Sequence, residues 1–141
     1  MTLIAIPSYM TTGKTNVDRN HSKLLPCAEK PNCVSSQSEN ISSYVDPFHY
    51  CVSNQKLGMH LKELIDAMPR TTIVESDSRY LQVEVRSAVF GFVDDVEFIF
   101  GNPPGVLHIR SASRVGYWDF GVNRSRVEWI RKELTKRLQN E

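Results

Sequence analysis

From Phe92 to Arg126 the apolar and polar positions first alternate with period two and then pass through a turn into helical spacing. In the first run Phe92, Asp94, Val96 and Phe98 share one face, and Val93, Asp95, Glu97 and Ile99 the other. In the second, Leu107, Ile109, Ser111 and Ser113 alternate with His108, Arg110, Ala112 and Arg114. Gly101-Asn102-Pro103-Pro104-Gly105 between them is turn chemistry, since proline offers no donor to a ladder. An antiparallel hairpin closing with Phe100 opposite Gly105 sets Phe98 against Leu107 and Val96 against Ile109 on the apolar side. On the polar side it sets Glu97 against His108 and Asp95 against Arg110, pairs of favourable sign. A slip of one residue would put Phe98 opposite His108. Asp94 and Ser111 are left facing the core, and a buried carboxylate needs donors or a cation.

The remaining elements follow from the same reading. Leu57, Leu61, Leu64, Ile65 and Met68 form a stripe at three-and-four spacing, predicting a helix from Gln55 to Ala67. Ser53 or Asn54 caps it and Pro69 ends it. Strands are expected at Thr71–Glu75 and Tyr80–Arg86, separated by the turn Ser76-Asp77-Ser78. A last helix spans Asn123 to Leu138, with Asn123 as N-cap and Val127, Ile130, Leu134 and Leu138 as its stripe. The segment 21–52 is rich in Ser, Asn and Pro without sustained period and is expected to be an irregular strap. The order helix, four strands, helix predicts an α+β fold. Its core would be a single four-stranded, mainly antiparallel sheet with both helices on one face. The other face, carrying Gln82, Glu84, Arg86, Asp95, Glu97, His108 and Arg110, reads as solvated.

Composition narrows the function classes. At 141 residues one domain over 21–141 is expected, preceded by a mobile tail at 1–20. With 40% apolar and 23% charged residues and a formal net charge of +1, the chain lacks the basic excess that a general nucleic-acid or membrane-surface role wants. No apolar run is long enough for stable membrane insertion. The start, MTLIAIPSYM, has no basic flank and only a brief apolar patch, so it is not read as a signal peptide and the expected location is the cytoplasm. A weak organellar transit sequence is the alternative.

Four segments carry a resemblance: PCAEKPNCVSS (Pro26–Ser36), MPRTTIV (Met68–Val74), FGFVDDVEF (Phe90–Phe98) and IRSASRVGYWDFGVNRSRVEWIR (Ile109–Arg131). In this order they resemble the bacterial and plant family known as domain of unknown function 1499, over a span from about Leu24 to the C-terminus. The resemblance implies no assigned activity. It also implies that many relatives are exported or lipid-anchored, with a leader before the cysteine segment. This chain departs in having Ala28 where the family pattern more often has proline, and in showing no convincing leader.

The densest candidate chemistry is Arg110, Ser111, Ser113, Arg114, Asn123, Arg124 and Arg126. Arginine forks at a strand end, followed by a helix N-terminus at Asn123, suit a carboxylate or phosphate. The expected ligand-binding set takes all of these but Arg126, with Asp94, Asp119 and, from the strap, Asn32 and Ser35. The bland alternative is a closed network in which Asp94, Asp95 and Asp119 neutralise the arginines and Asn123 merely caps the helix. Adjacent strand residues point to opposite faces, so Asp94 and Asp95 cannot act as a catalytic pair. Cys27, Cys33, His49 and Cys51 can be drawn as a zinc set. However, five residues separate the first pair where zinc knuckles prefer two to four, so no metal and no cofactor is expected. A Cys27–Cys33 disulfide is geometrically possible, but with three cysteines buried free thiols are the expectation. His108 reads as a surface partner of Glu97, and Trp118 and Trp129 as packing residues.

The leading reading is a non-enzymatic module binding an anionic small molecule or a partner segment. The first alternative is a hydrolase or transferase with Asp94 or Asp119 as general base and Arg114 as clamp. The second is a structural or assembly protein.

Overall fold

The computed structural model describes residues 22–140; the tail expected at 1–20 lies outside them. Helix α1, Asn54–Asp66, begins where the Ser53 hydroxyl accepts the Lys56 N–H at 3.1 Å. It buries Leu57, Leu61, Leu64 and Ile65, as its stripe predicts. Helix α2, Val122–Gln139, buries Val127, Ile130 and Leu134. Both stripes pack on one face of the sheet, in a core shared with Val83, Val96, Phe98, Leu107 and Ile109. The expected α+β class with two helices on one face of an antiparallel sheet is what the chain forms.

The strand count is corrected from four to six. Besides β3 (Thr71–Ser76), β4 (Tyr80–Arg86), β5 (Val93–Phe100) and β6 (Val106–Ser113), the strap supplies β1 (Cys33–Ser35) and β2 (Phe48–His49). The order is β1-β6-β5-β4-β3, and β2 also pairs with β6. Two- and three-residue strands are too short to carry a period, so they are invisible to pattern reading. They are held instead by the free edge of β6, against Ala112–Arg110 and Leu107–Val106.

The hairpin register is also corrected. Phe100 faces Leu107, Phe98 faces Ile109, Glu97 faces Arg110 and Asp95 faces Ala112, two residues from the expected pairing. Gly101 and Gly105 both have positive φ, 69° and 81°, and neither can continue an extended strand. The Gly105 carbonyl instead accepts the Tyr50 N–H at 2.9 Å, which draws it toward β2. A shift of two preserves the faces, so the apolar side survives while every cross-strand partner changes.

The face expected to be solvated is largely buried. Gln82 and Glu97 are fully buried, Asp95 is buried, and His108 and Arg110 are partly so. Leu24 packs here with Tyr80 and Ile99 as a second apolar cluster, and the Leu24 N–H donates to Gln37 Oε1 at 2.7 Å. The strap thus crosses a face that keeps several polar residues out of water. Tyr80 donates to Glu97 Oε1 at 3.1 Å, and Arg110 Nη1 lies 3.6 Å from Glu97 Oε2.

Candidate functional site

Alternation along β6 divides the expected site in two. Ser111 and Ser113 face α2 with Asp94, whereas Arg110 and Arg114 belong to the face of Asp95 and Glu97. The two halves therefore lie on opposite sides of the sheet. Arg114 forms a two-pronged pair with Asp95, Nε to Oδ2 at 2.7 Å and Nη2 to Oδ1 at 2.8 Å, and its Nη2 also reaches Glu84 at 2.6 Å. Hydrogen bonding to Asp95, opposed by burial and helped by Glu84, holds its pKa above the ordinary arginine value. It is a fixed cation.

On the helix side the centre is Asn123, which is fully buried. Its Oδ1 accepts from Ser111 Oγ at 2.7 Å and from Arg126 Nη1 at 2.7 Å. Because arginine has no acceptor, this contact fixes which end of the amide is oxygen. Its Nδ2 donates to Ser113 Oγ, Asp119 Oδ2 and the Asn32 carbonyl at 2.9–3.1 Å. Arg126 continues to Asp94 Oδ2 at 2.7 Å and to Ser111 Oγ at 3.0 Å. The core-facing carboxylate that needed a cation has one.

The N-terminus of α2 is filled by the protein itself. Gly121, at φ 78°, stands in the N-cap position with no side-chain cap, and Asn123 lies inside the helix; the expected Asn123 cap is corrected. Asp119 reaches forward from the preceding turn, accepting from Gly121 N–H at 2.8 Å and from Asn123 N–H at 3.1 Å. Burial pushes its carboxyl up, but the Asn123 side chain and these N–H groups outweigh it and leave the pKa below the ordinary aspartate value. A carboxylate is the anion this helix end prefers, and the chain provides its own.

The strap is sewn to the same centre. Asp119 N–H donates to the Pro31 carbonyl at 3.2 Å, Ser113 N–H to the Asn32 carbonyl at 3.0 Å, and Asn32 Nδ2 to the Gly116 carbonyl at 2.9 Å. Ser35 lies on β1, its hydroxyl accepting the Gln37 N–H at 3.1 Å. Arg124 donates to the carbonyls of Tyr44 and Ser42 at 2.9 and 3.0 Å. Arg131 does the same for Pro47 at 3.0 Å and for Asp46. Of the expected set, Asn32, Asp94, Ser111, Ser113, Asp119 and Asn123 are brought together. Arg110, Arg114, Arg124 and Ser35 are not. Arg126 belongs in it, and its spacing three residues after Asn123 on one helix face was the available signal.

Cys27 and Cys33 form a disulfide, Cα–Cα 5.6 Å, and Cys51 is an exposed free cysteine. The expectation of buried free thiols is overturned, and Cys27 and Cys33 are withdrawn from any zinc set. Pro31 and Asn32 are among the five residues it encloses, so the bridge holds the strap at the point where it meets Asn123. Among the described residues no group of three or more His, Cys, Asp or Glu is placed to hold a metal. No helix there is long and apolar enough to cross a membrane. His108 faces Ile99 across the ladder rather than Glu97, and its Nδ1 lies 3.0 Å from Ser36 Oγ.

Cavities of about 840 and 970 Å³ lie under the strap and beside α1, and none of Arg110, Arg114, Arg124 and Arg126 lines either. What faces solvent is the turn between β6 and α2. There Trp118 is 60% exposed and Phe120 77%, their rings 4.1 Å apart. Trp118 and Trp129 are both exposed, which corrects their assignment to packing. Phe120 also takes positive φ, 57°, a conformation unfavourable for a bulky side chain.

The model of the family described as "Protein of unknown function (DUF1499)" matches residues 23–134. No curated protein and no solved structure matches the chain.

Proposed function

The chain belongs to the DUF1499 family, and for this member we propose a non-enzymatic binding module. Its contact surface is the aromatic turn 115–122, and the polar centre around Asn123 is the mount that holds that turn. The observation that carries the reading is Phe120. It has positive φ and its ring is mostly exposed, so neither backbone preference nor core packing accounts for a phenylalanine there. Backbone strain of this kind, about 1–2 kcal/mol for a non-glycine residue, collects at functional sites.

An anionic small molecule at the arginines is the weaker form of the reading. Arg114, Arg124 and Arg126 already donate to protein acceptors, Arg110 pairs with Glu97, and Asp119 fills the helix end. A ligand would have to displace them. The catalytic alternative asks Arg114 to work with Asp94 or Asp119, whose partners lie across the sheet from its guanidinium. The disulfide supports an oxidising compartment over the cytoplasm.

The test is a thermal-shift titration with inorganic phosphate, beside Trp118 emission in a Trp129→Phe background. The reading expects phosphate to change neither, and Trp118→Ser/Phe120→Ser to leave folding stability within about 0.5 kcal/mol, as for exposed side chains generally. A saturable phosphate-induced rise in Tm that Arg114→Ala removes would return binding to the arginines.

A further inference from the structure

A second apolar loop stands beside the turn. The β4–β5 connection, Ser87–Phe92, leaves the sheet where Arg86 pairs with Val93, and Arg114 N–H donates to the Val93 carbonyl at 3.1 Å. Both connections therefore emerge from neighbouring strands at one end of the sheet. The loop carries Val89 at 81% exposure and Phe90 at 75%, with Phe90 stacked on Phe92 at 5.5 Å. The turn carries Tyr117, Trp118 and Phe120, each more than half exposed. Aromatic side chains in such numbers at one end of a monomer mark a contact surface.

The charges around them say which. SAVFGF and VGYWDFGV hold one charged residue between them, Asp119, and it is turned inward onto Gly121 and Asn123. The nearest strand carboxylates are engaged too: Glu84 and Asp95 by Arg114, and Asp94 by Arg126. Arg86 and Arg70 flank the first loop, both exposed, with Arg70 Nε on the Arg86 carbonyl at 3.0 Å. Neither forms an ion pair among the described residues. Two protruding aromatic loops with a cationic collar, and with no outward acid of their own, match the layered chemistry of a bilayer surface. Phe and Val enter the acyl boundary, Trp and Tyr sit at headgroup depth, and arginine meets lipid phosphate.

We infer that the 87–92 and 115–122 loops together form a peripheral membrane-docking tip selective for anionic lipid. This rests on the reading of the turn as a contact surface and names its occupant.

The experiment uses the full chain with vesicles of phosphatidylcholine, with and without phosphatidylglycerol, read by co-sedimentation and by Trp118 emission in the Trp129→Phe background. The expected result is a blue shift and sedimentation with phosphatidylglycerol vesicles. Affinity should fall about tenfold or more in Phe90→Ser/Phe92→Ser and in Trp118→Ser/Phe120→Ser, and fall also with added salt and in Arg86→Gln. Binding equally tight to pure phosphatidylcholine overturns the anionic assignment. No vesicle binding, with concentration-dependent self-association that the same serine variants abolish, overturns the lipid but keeps the contact surface. Vesicle binding undiminished in both serine variants overturns the tip and the reading beneath it.

Discussion

One carboxylate oxygen of Asp119 receives two hydrogens from Asn123, the side-chain amide at 2.9 Å and the backbone N–H at 3.1 Å. Through that double contact the aromatic turn is tied to the first turn of α2. From Asn123 the tie runs on to Ser111 and Ser113 of β6 and to the Asn32 carbonyl in the strap. Strand, turn and helix, consecutive in the chain, thus meet the distant strap at a single buried amide.

Asn123→Ala should therefore be among the most destabilising polar substitutions in the chain. It strips the partners of Ser111, Ser113, Arg126 and the Asn32 carbonyl at a fully buried position. A loss of about 3 kcal/mol is expected, since each unsatisfied buried group costs about 1–3 kcal/mol. Urea denaturation at neutral pH measures it, and a loss under about 1 kcal/mol would mean that water replaces the amide.

The Asp94–Arg126 pair should show strong coupling. Arg126→Met leaves a largely buried carboxylate without its cation, at a cost of about 3 kcal/mol. Asp94→Asn in the Arg126→Met background should restore part of that. The double-mutant cycle in denaturant checks it, and additive losses would contradict the pairing.

Two groups give stability a pH dependence below neutrality. Burial, reinforced by His49 and opposed by a backbone hydrogen bond at Asn102, holds the His108 imidazole below the ordinary histidine value. The unfolded chain then takes up a proton where the folded protein does not. Stability is lost as pH falls below about 6.5 and stops changing below the folded pKa. Asp119 is depressed as well, but as an acid: its contribution is complete above about pH 3.9 and lost as pH falls through the folded value. Thermal unfolding from pH 8 to pH 3 should show both windows. His108→Gln should remove the upper one and Asp119→Asn the lower.

The disulfide makes stability sensitive to reductant. Closing a loop this short is worth about 2 kcal/mol in the chain-entropy account. Dithiothreitol should lower Tm in the natural protein and leave Cys27→Ser/Cys33→Ser unchanged at that lower value. An unchanged Tm on complete reduction would show that the Asn32 contacts hold the strap unaided.

How far the sequence could be read follows from the reach of each signal. Leu57, Leu61 and Leu64 repeat over two turns, so α1 and its buried stripe are legible, as is α2 through Val127, Ile130 and Leu134. Val96 and Phe98 were correctly turned to the core, but their partners were not found. Those are decided by positive φ at Gly101 and Gly105 and by Tyr50, far outside the hairpin in sequence. Glu97 looked solvated because alternation reports a face and not what crosses it, and Leu24 packs on that face from outside the pattern. The site was half legible. Alternation alone shows Asp94 as a core-facing carboxylate in need of a cation, while a strand's two faces keep Arg110 and Arg114 away from Asn123.

The account turns on whether the protein's own carboxylates fill the places where a small anion would sit. Amide shifts of Gly121 and Asn123, followed by NMR while inorganic phosphate is added at neutral pH, report on that directly. The account predicts that both amides stay where Asp119 holds them, with no saturable movement at millimolar phosphate. Saturable shifts at these two amides would contradict it, because they would mean that Asp119 yields the helix end to an incoming ligand.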